Sequence, residues 1–324
     1  MGALPETVPF PAKESTRVEY GKVLAELGET HPEIVVLDAD LSGSTQTARF
    51  AKIFQNRFFN VGIAEQDMMG TAAGLALGGM IPFASTFAIF ATGRAWEQIR
   101  QTIAYGNLNV KIVASHGGVT VGEDGGSHQA IEDLALMRVL PNLAVMVPAD
   151  GPEVRAMVRW AVTYEGPVYI RTSRIPFPVI HDEGYTFELG RGHILREGDD
   201  VTLAGIGLMV HHCLAAADLL AQQGISARVL NLCCLKPLDW ELVVDSARRT
   251  GGLVSAEEHL ATGGLGSAIS EVLSEFHPTP LRRVGIRDTF GLSGKPDDLL
   301  KHFGLTAEDI MRAALTIINR KKRP

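Results

Sequence analysis

Hydrophobic positions in the first half of the chain fall in short, nearly unbroken runs at residues 34–37, 58–61, 81–84, 111–114, 143–147 and 168–171. Between them the apolar residues take a helical period, near residues 17–29, 65–77, 91–105, 130–139 and 153–163. Unbroken apolar runs suit strands that are covered on both faces. Their alternation with helices predicts a mainly parallel sheet. The stretch 174–185 breaks the rhythm with Pro176, Pro178 and Gly184 and reads as a linker. A second alternation follows, with strands at 201–205, 227–231, 252–255 and 281–285 and helices at 211–222 and 261–275. Residues 306–319 form a closing helix, with Thr306 as N-cap and Asp309 three residues on. The pattern predicts an α/β chain of two doubly wound domains, at 17–180 and 190–324, behind a tail at 1–16.

In open α/β sheets, ligands bind beyond the carboxyl ends of the strands. Polar residues collect there: Asp38 and Asp40, Glu65, His116, and Arg171 with Arg174. An aspartate after a strand is usually a turn or cap residue, but recurrence at successive strand ends favours a shared cleft. The segment Ser115 to Gln129, SHGGVTVGEDGGSHQ, packs five glycines and two histidines into one strand-to-helix connection. Glycines let backbone approach a ligand closely; the alternative is a flexible surface loop, although loops this long in compact domains are usually functional. His116, Asp124 and His128 resemble a metal set only loosely, and substrate hydrogen bonding suits their wide spacing better. Glu65, in NVGIAEQDMMG, is either a first-turn residue favoured by the helix dipole or a functional acid suited to proton exchange in an apolar setting. Phe87 and Phe90 in STFAIFATGR are either core residues or a stacking platform for a heterocycle. Glu257, Glu258 and His259 in SAEEH follow a strand and suit a turn or interface role, so the second domain is expected mainly to build a dimer interface.

Composition narrows the classes. The 324 residues are 46% hydrophobic and 6% aromatic, a globular balance. A formal net charge of −7 argues against nucleic acid or an anionic membrane as the main partner, while leaving room for a local phosphate pocket. The basic end, Arg320 to Arg323, reads as a solvated terminus. Three cysteines, Cys213, Cys233 and Cys234, lack the spacing of a disulfide framework or zinc site. The first fifteen residues lack a signal-peptide core, and no stretch reaches membrane-span length. These absences lead to the expectation of a cytoplasmic protein.

Taken in order, GIAEQDM, STFAIF, SHGGVTVGEDGGSHQAIED and PNLAVMVPAD resemble the pyrimidine-binding domain of transketolases, and the resemblance runs on through the C-terminal transketolase domain. It covers nearly all of the chain after Arg17. It implies thiamine diphosphate as cofactor and reversible transfer of a two-carbon ketol unit from a ketose phosphate to an aldose phosphate, as in the pentose phosphate pathway. The cofactor supplies the carbanion chemistry. By the same resemblance, Glu65 hydrogen-bonds the aminopyrimidine N1′, Phe87 and Phe90 wall the pyrimidine, and Asp40, Leu41 and Ile63 line the cofactor. His116, Asp124 and His128 bind ketose hydroxyls and assist proton transfer. Arg17, Ser44 and Arg174 grip the sugar phosphate.

Two departures qualify this. Full transketolases hold Mg²⁺ and the diphosphate with Gly-Asp-Gly and a later Asn-Asn, and this chain has neither. The resemblance therefore implies a partner, an N-terminal transketolase subunit carrying those motifs, in a heterotetramer with two copies of each chain. Gly93 stands where many transketolases carry a further aromatic. Three rival readings remain: the beta subunit of a 2-oxo-acid dehydrogenase, a 1-deoxyxylulose-5-phosphate synthase-like enzyme, and a non-catalytic regulatory module with the same fold. The first usually lacks the GEDGGSHQ loop, and the second normally has a histidine where this chain has Asp67.

Overall fold

A computed structural model describes residues 13–321 of the chain. The first twelve residues of the expected tail, and Lys322 and Arg323 of the basic end, lie outside the described residues.

The strands are β1 (Lys13–Glu14), β2 (Ile34–Asp38), β3 (Phe58–Asn60), β4 (Ile81–Ser85), β5 (Lys111–Ala114), β6 (Ala144–Met146), β7 (Val168–Arg171), β8 (Phe177–Pro178), β9 (His193–Arg196), β10 (Val201–Gly205), β11 (Ala227–Asn231), β12 (Cys234–Lys236), β13 (Leu253–Leu260) and β14 (Leu281–Ile286). They build a seven-stranded sheet in the order β12-β6-β7-β5-β4-β2-β3 and a five-stranded sheet in the order β14-β13-β10-β11-β9. Pairing is parallel throughout both, except that β12 is antiparallel to β6 and β9 antiparallel to β11. The strands β2, β4, β10 and β11 are buried along their whole length, as their continuous apolar runs require. The edge strand β3 is exposed at two of its three residues.

The antiparallel additions are absent from the sequence reading. β12 follows β11 by two residues, yet it crosses to the edge of the other sheet, so the two sheets share a segment of chain. One core cluster also spans both, joining Leu37, Leu134 and Tyr169 to Leu230, Leu253 and Leu265. The expected helix at 91–105 is instead two π-helical turns, Phe90–Arg94 and Ile99–Ala104, around Trp96–Gln98. Thr92 and Thr102 each donate their hydroxyl to the carbonyl four residues back, which competes with regular α-helical pairing. The closing helix Ala307–Lys321 starts as expected: the amide of Asp309 donates to the Thr306 hydroxyl, and the Thr306 amide donates to the Asp309 carboxylate.

Candidate functional site

The carboxyl ends of β2, β4, β5 and β7 lie side by side in the seven-stranded sheet and hold most of the candidate residues. After β5 the chain turns sharply at His116, whose φ of 62° lies in the left-handed region. Its ring is almost fully buried, lies 2.8 Å from the Ser115 hydroxyl through Nδ1, and stacks on Phe87 at 3.8 Å between centroids. Burial first, then the charges of Arg17, Arg174 and His128, push its pKa down to about 3. His116 is thus neutral at physiological pH, able to donate one hydrogen bond and accept another.

Phe87 and Phe90 stack at 5.8 Å with their planes 13° apart. His128 meets Phe90 edge-on at 5.5 Å, with its Nδ1 3.0 Å from the Ser127 hydroxyl. Arg94 lies 4.7 Å over the Phe90 ring and donates to both carboxylate oxygens of Glu65, at 2.8 and 2.7 Å. Glu65 opens the helix Glu65–Leu77 and is 1% exposed, so a carboxylate at a helix N-terminus is buried against one guanidinium that is itself half-exposed. Its enclosure is therefore not purely apolar.

Beside the histidines lies a cationic corner. Arg17, on the helix Thr16–Thr30, donates to the Ser44 carbonyl at 2.6 Å and to the Arg174 carbonyl at 3.2 Å. Arg174 donates to the Val121 carbonyl and lies 3.7 Å from the carboxylates of both Glu123 and Asp124. Burial and the neighbouring Arg174 lower the pKa of Arg17. Two guanidinium groups are thus held side by side by backbone carbonyls, an arrangement chemically able to receive an anion.

Arg17, Ser44, Phe87, Phe90, His116, Asp124, His128 and Arg174 are thus linked by direct contacts or shared charge, and Glu65 joins them through Arg94. Three candidates stand apart. Ile63 is 78% exposed. Leu41 is half-buried, and its amide donates to Asp38. Asp40, with φ 63°, accepts from the Asn60 side chain at 3.0 Å and is otherwise open.

Two strand-end residues serve the scaffold instead of the cleft. Asp38 is fully buried and binds the Leu41 amide and the hydroxyls of Thr45 and Thr47, ordering the turn after β2. Arg171 pairs with Asp133 at 3.2 Å and donates to the Glu258 carbonyl at 2.8 Å, tying the two halves of the chain together. The SAEEH residues lie inside β13, where a turn was expected. There the Glu257 carboxylate caps the helix Leu265–Phe276, at 2.7 and 2.8 Å from the Leu265 and Gly266 amides, and Glu258 accepts from the Thr120 amide at 2.5 Å.

That last contact reassigns the glycines of the Ser115–Gln129 loop. Gly118 has φ 79°, and a Cβ there would lie 2.2 Å from the Glu258 carboxyl carbon. The loop is glycine-rich so that the second half of the chain can press against it. Gln129, Ser293 and Glu258 complete the brace: Gln129 donates to the carbonyls of Val119, Gly122 and Leu292, and Ser293 to that of Glu123. The sequence does not flag Arg94 or Gln129. The Phe90–Arg94 spacing of one helical turn was the available signal for the former.

The residues fit one end of thiamine diphosphate. A stacked aromatic pair, a buried carboxylate linked to it through Arg94, and Gly93, where an added Cβ would meet only Ile89 at 4.0 Å, suit a flat heterocycle. No group of three or more His, Cys, Asp or Glu suited to a metal ion occurs among the described residues.

Residues 12–178 match the family described as "Transketolase, pyrimidine binding domain" and residues 190–310 match "Transketolase, C-terminal domain". The 6-deoxy-6-sulfo-D-fructose transketolase subunit of a Clostridium species is 45% identical over 94% of this chain and 95% of its own length. A solved structure named "Split gene transketolase, inactive beta4 tetramer" shares 55% identity, with a TM-score of 0.89 over 95% of this chain and 99% of that one. Human transketolase is 38% identical over 95% of this chain, which spans 50% of the human protein. The chain is a member of the transketolase family and carries that family's pyrimidine-binding and C-terminal domains.

Proposed function

We propose that this chain is the subunit of a two-chain, thiamine-diphosphate-dependent transketolase that activates the cofactor's pyrimidine and receives the sugar. It transfers a two-carbon ketol unit from a ketose phosphate to an aldose phosphate. The observation that carries this reading is the connected set of Glu65, the Phe87–Phe90 pair, the two histidines and the Arg17–Arg174 corner at the carboxyl end of one sheet. When bound, thiamine diphosphate supplies the carbanion equivalent that the protein side chains cannot provide.

Each residue has a defined task. Glu65 holds a proton at the pyrimidine N1′, which requires its carboxylate to leave Arg94. Phe87 and Phe90 present flat faces to the ring and keep water from it. His128 and the neutral His116 hydrogen-bond the sugar hydroxyls and move a proton to or from the oxygen at the bond being made or broken. Arg17 and Arg174 hold the phosphate and fix the register of the carbonyl. In this reading Mg²⁺ and the diphosphate are held by an N-terminal partner subunit, and two copies of each chain assemble. The names of two relatives, a transketolase subunit and an inactive beta4 tetramer of a split-gene transketolase, support the need for a second chain.

The sugar is set less tightly than the reaction, because the name of the Clostridium relative specifies a sulfonated fructose. Phosphate and sulfonate are both tetrahedral oxyanions that a guanidinium pair can hold. The test is co-expression with a Gly-Asp-Gly subunit, followed by a coupled assay across phosphorylated, sulfonated and unsubstituted ketoses. Ketol transfer by the pair, and none by the chain alone with Mg²⁺ and cofactor, is expected. Robust turnover by the single chain refutes the two-chain reading.

A further inference from the structure

The second half of the chain holds a cleft that the transferase reading does not use. It lies between β14, the edge strand of the five-stranded sheet, and the helix Ala307–Lys321, with a volume of about 220 Å³. Side chains at successive strand positions leave opposite faces. Val284 and Ile286 accordingly pack with Ile310, Ala314 and Ile317 beneath the cleft. The rim is cationic: Arg282 and Arg287 come from β14 and its end and Arg312 from the helix, while the Arg283 side chain leaves the opposite face of the strand towards Gly266.

The balance of charge is unusual for this molecule. The whole chain carries a formal charge of −7, yet the side chains of three arginines, Arg282, Arg287 and Arg312, and a single carboxylate, Asp309, border this cleft. Asp309 is already engaged by Thr306 and Arg312. Arg287 donates to the Arg283 carbonyl at 2.6 Å, which positions its guanidinium without neutralising it. Arg282 has no hydrogen-bond or ion-pair partner among the described residues. Thr316 also lines the cleft, with its hydroxyl donating to the Arg312 carbonyl at 2.9 Å.

We propose that this arginine cleft is a second anion-binding site, separate from the catalytic cleft, that takes a compact phosphorylated small molecule. Guanidinium forks bind phosphate oxygens in pairs. The volume is below the range of roughly 300–1,000 Å³ typical of drug-sized ligands, which suits a ligand not much larger than two phosphate groups. One carboxylate among three guanidinium groups leaves an excess positive charge that a multiply charged anion offsets. None of the lining residues belongs to the transferase site, so the proposal stands whether or not that reading holds.

The experiment is calorimetric titration of inorganic pyrophosphate into the full chain at fixed ionic strength. An Arg174→Ala background weakens the other anion receptor. Saturable binding that persists in Arg174→Ala and weakens by about tenfold or more in Arg282→Gln/Arg287→Gln is expected. Arg312→Gln, whose side chain is 63% exposed, provides a second variant with little risk to folding and is expected to weaken binding as well. No binding to the Arg174→Ala chain, or an affinity unchanged by these rim substitutions in folded protein, overturns the proposal.

Discussion

The contact between Arg94 and Glu65 makes a sharp claim about how the chain meets its cofactor. Both carboxylate oxygens are taken by one guanidinium nitrogen, at 2.8 and 2.7 Å. If Glu65 serves the pyrimidine, Arg94 must give it up. The strength of the pair is bracketed by exposure, with Glu65 1% and Arg94 48% accessible. A fully exposed pair contributes up to about 1 kcal/mol, and breaking a fully buried one costs about 3–5 kcal/mol. A value of about 1–2 kcal/mol fits this mixed case. Arg94→Met keeps an apolar stem over Phe90 and deletes the charge. The chain without cofactor should then lose about 1–2 kcal/mol in urea unfolding, because a buried carboxylate loses its partner. The two-chain complex should bind thiamine diphosphate about 5- to 30-fold more tightly, because the competitor is gone. Circular-dichroism titration of the cofactor reads the second effect. Weaker cofactor binding in Arg94→Met would show that Arg94 belongs to the bound state and that the displacement argument is wrong.

Three further outcomes follow from the same contacts. Arg171→Met leaves Asp133 and Glu258 buried without their cation and should cost about 3–5 kcal/mol in urea unfolding; a loss near zero would mean that the brace between the halves is dispensable. The folded-state pKa of His116, about 3, lies below its ordinary 6.5, so the folded chain binds fewer protons than the unfolded one between those values. Its stabilisation is complete above pH 6.5 and declines as the pH falls towards 3. The wild type should therefore lose roughly 2 kcal/mol more than His116→Gln between pH 7 and pH 5, and parallel pH profiles would contradict this. Arg174→Ala should raise KM for phosphorylated sugars about tenfold to a hundredfold while leaving unphosphorylated ones nearly unchanged; an equal effect on both removes Arg174 from the phosphate receptor.

Elements with a strong local signal were legible in the sequence. Runs such as Val201–Gly205 and Ala227–Asn231 are buried on both faces and need no distant information to be read as strands. Lys111 is the exception that the run tolerates: its ammonium is buried because it donates to the carbonyls of Tyr164 and Gly166. What escaped was long-range. Nothing near Cys234 announces that β12 will leave its own neighbourhood for the edge of the other sheet. SAEEH looks like a turn because its charges seem to forbid burial, until the helix terminus, the Thr120 amide and Arg171 supply partners. Much of the site could be assembled from motifs, because the residues at the strand ends share one edge of a sheet. The roles of the glycines and of Arg94 depend on which side chain arrives from elsewhere, which spacing along the chain does not encode.

The central claim is that Glu65 of this chain activates a cofactor whose diphosphate is held by another chain. The most direct measurement is the rate of proton exchange at C2 of thiamine diphosphate, followed by NMR in the reconstituted complex with wild-type chain and with Glu65→Gln. Fast exchange in the wild-type complex, slow exchange in the variant and slow exchange with this chain alone are predicted. Exchange at the wild-type rate in the Glu65→Gln complex would contradict the account.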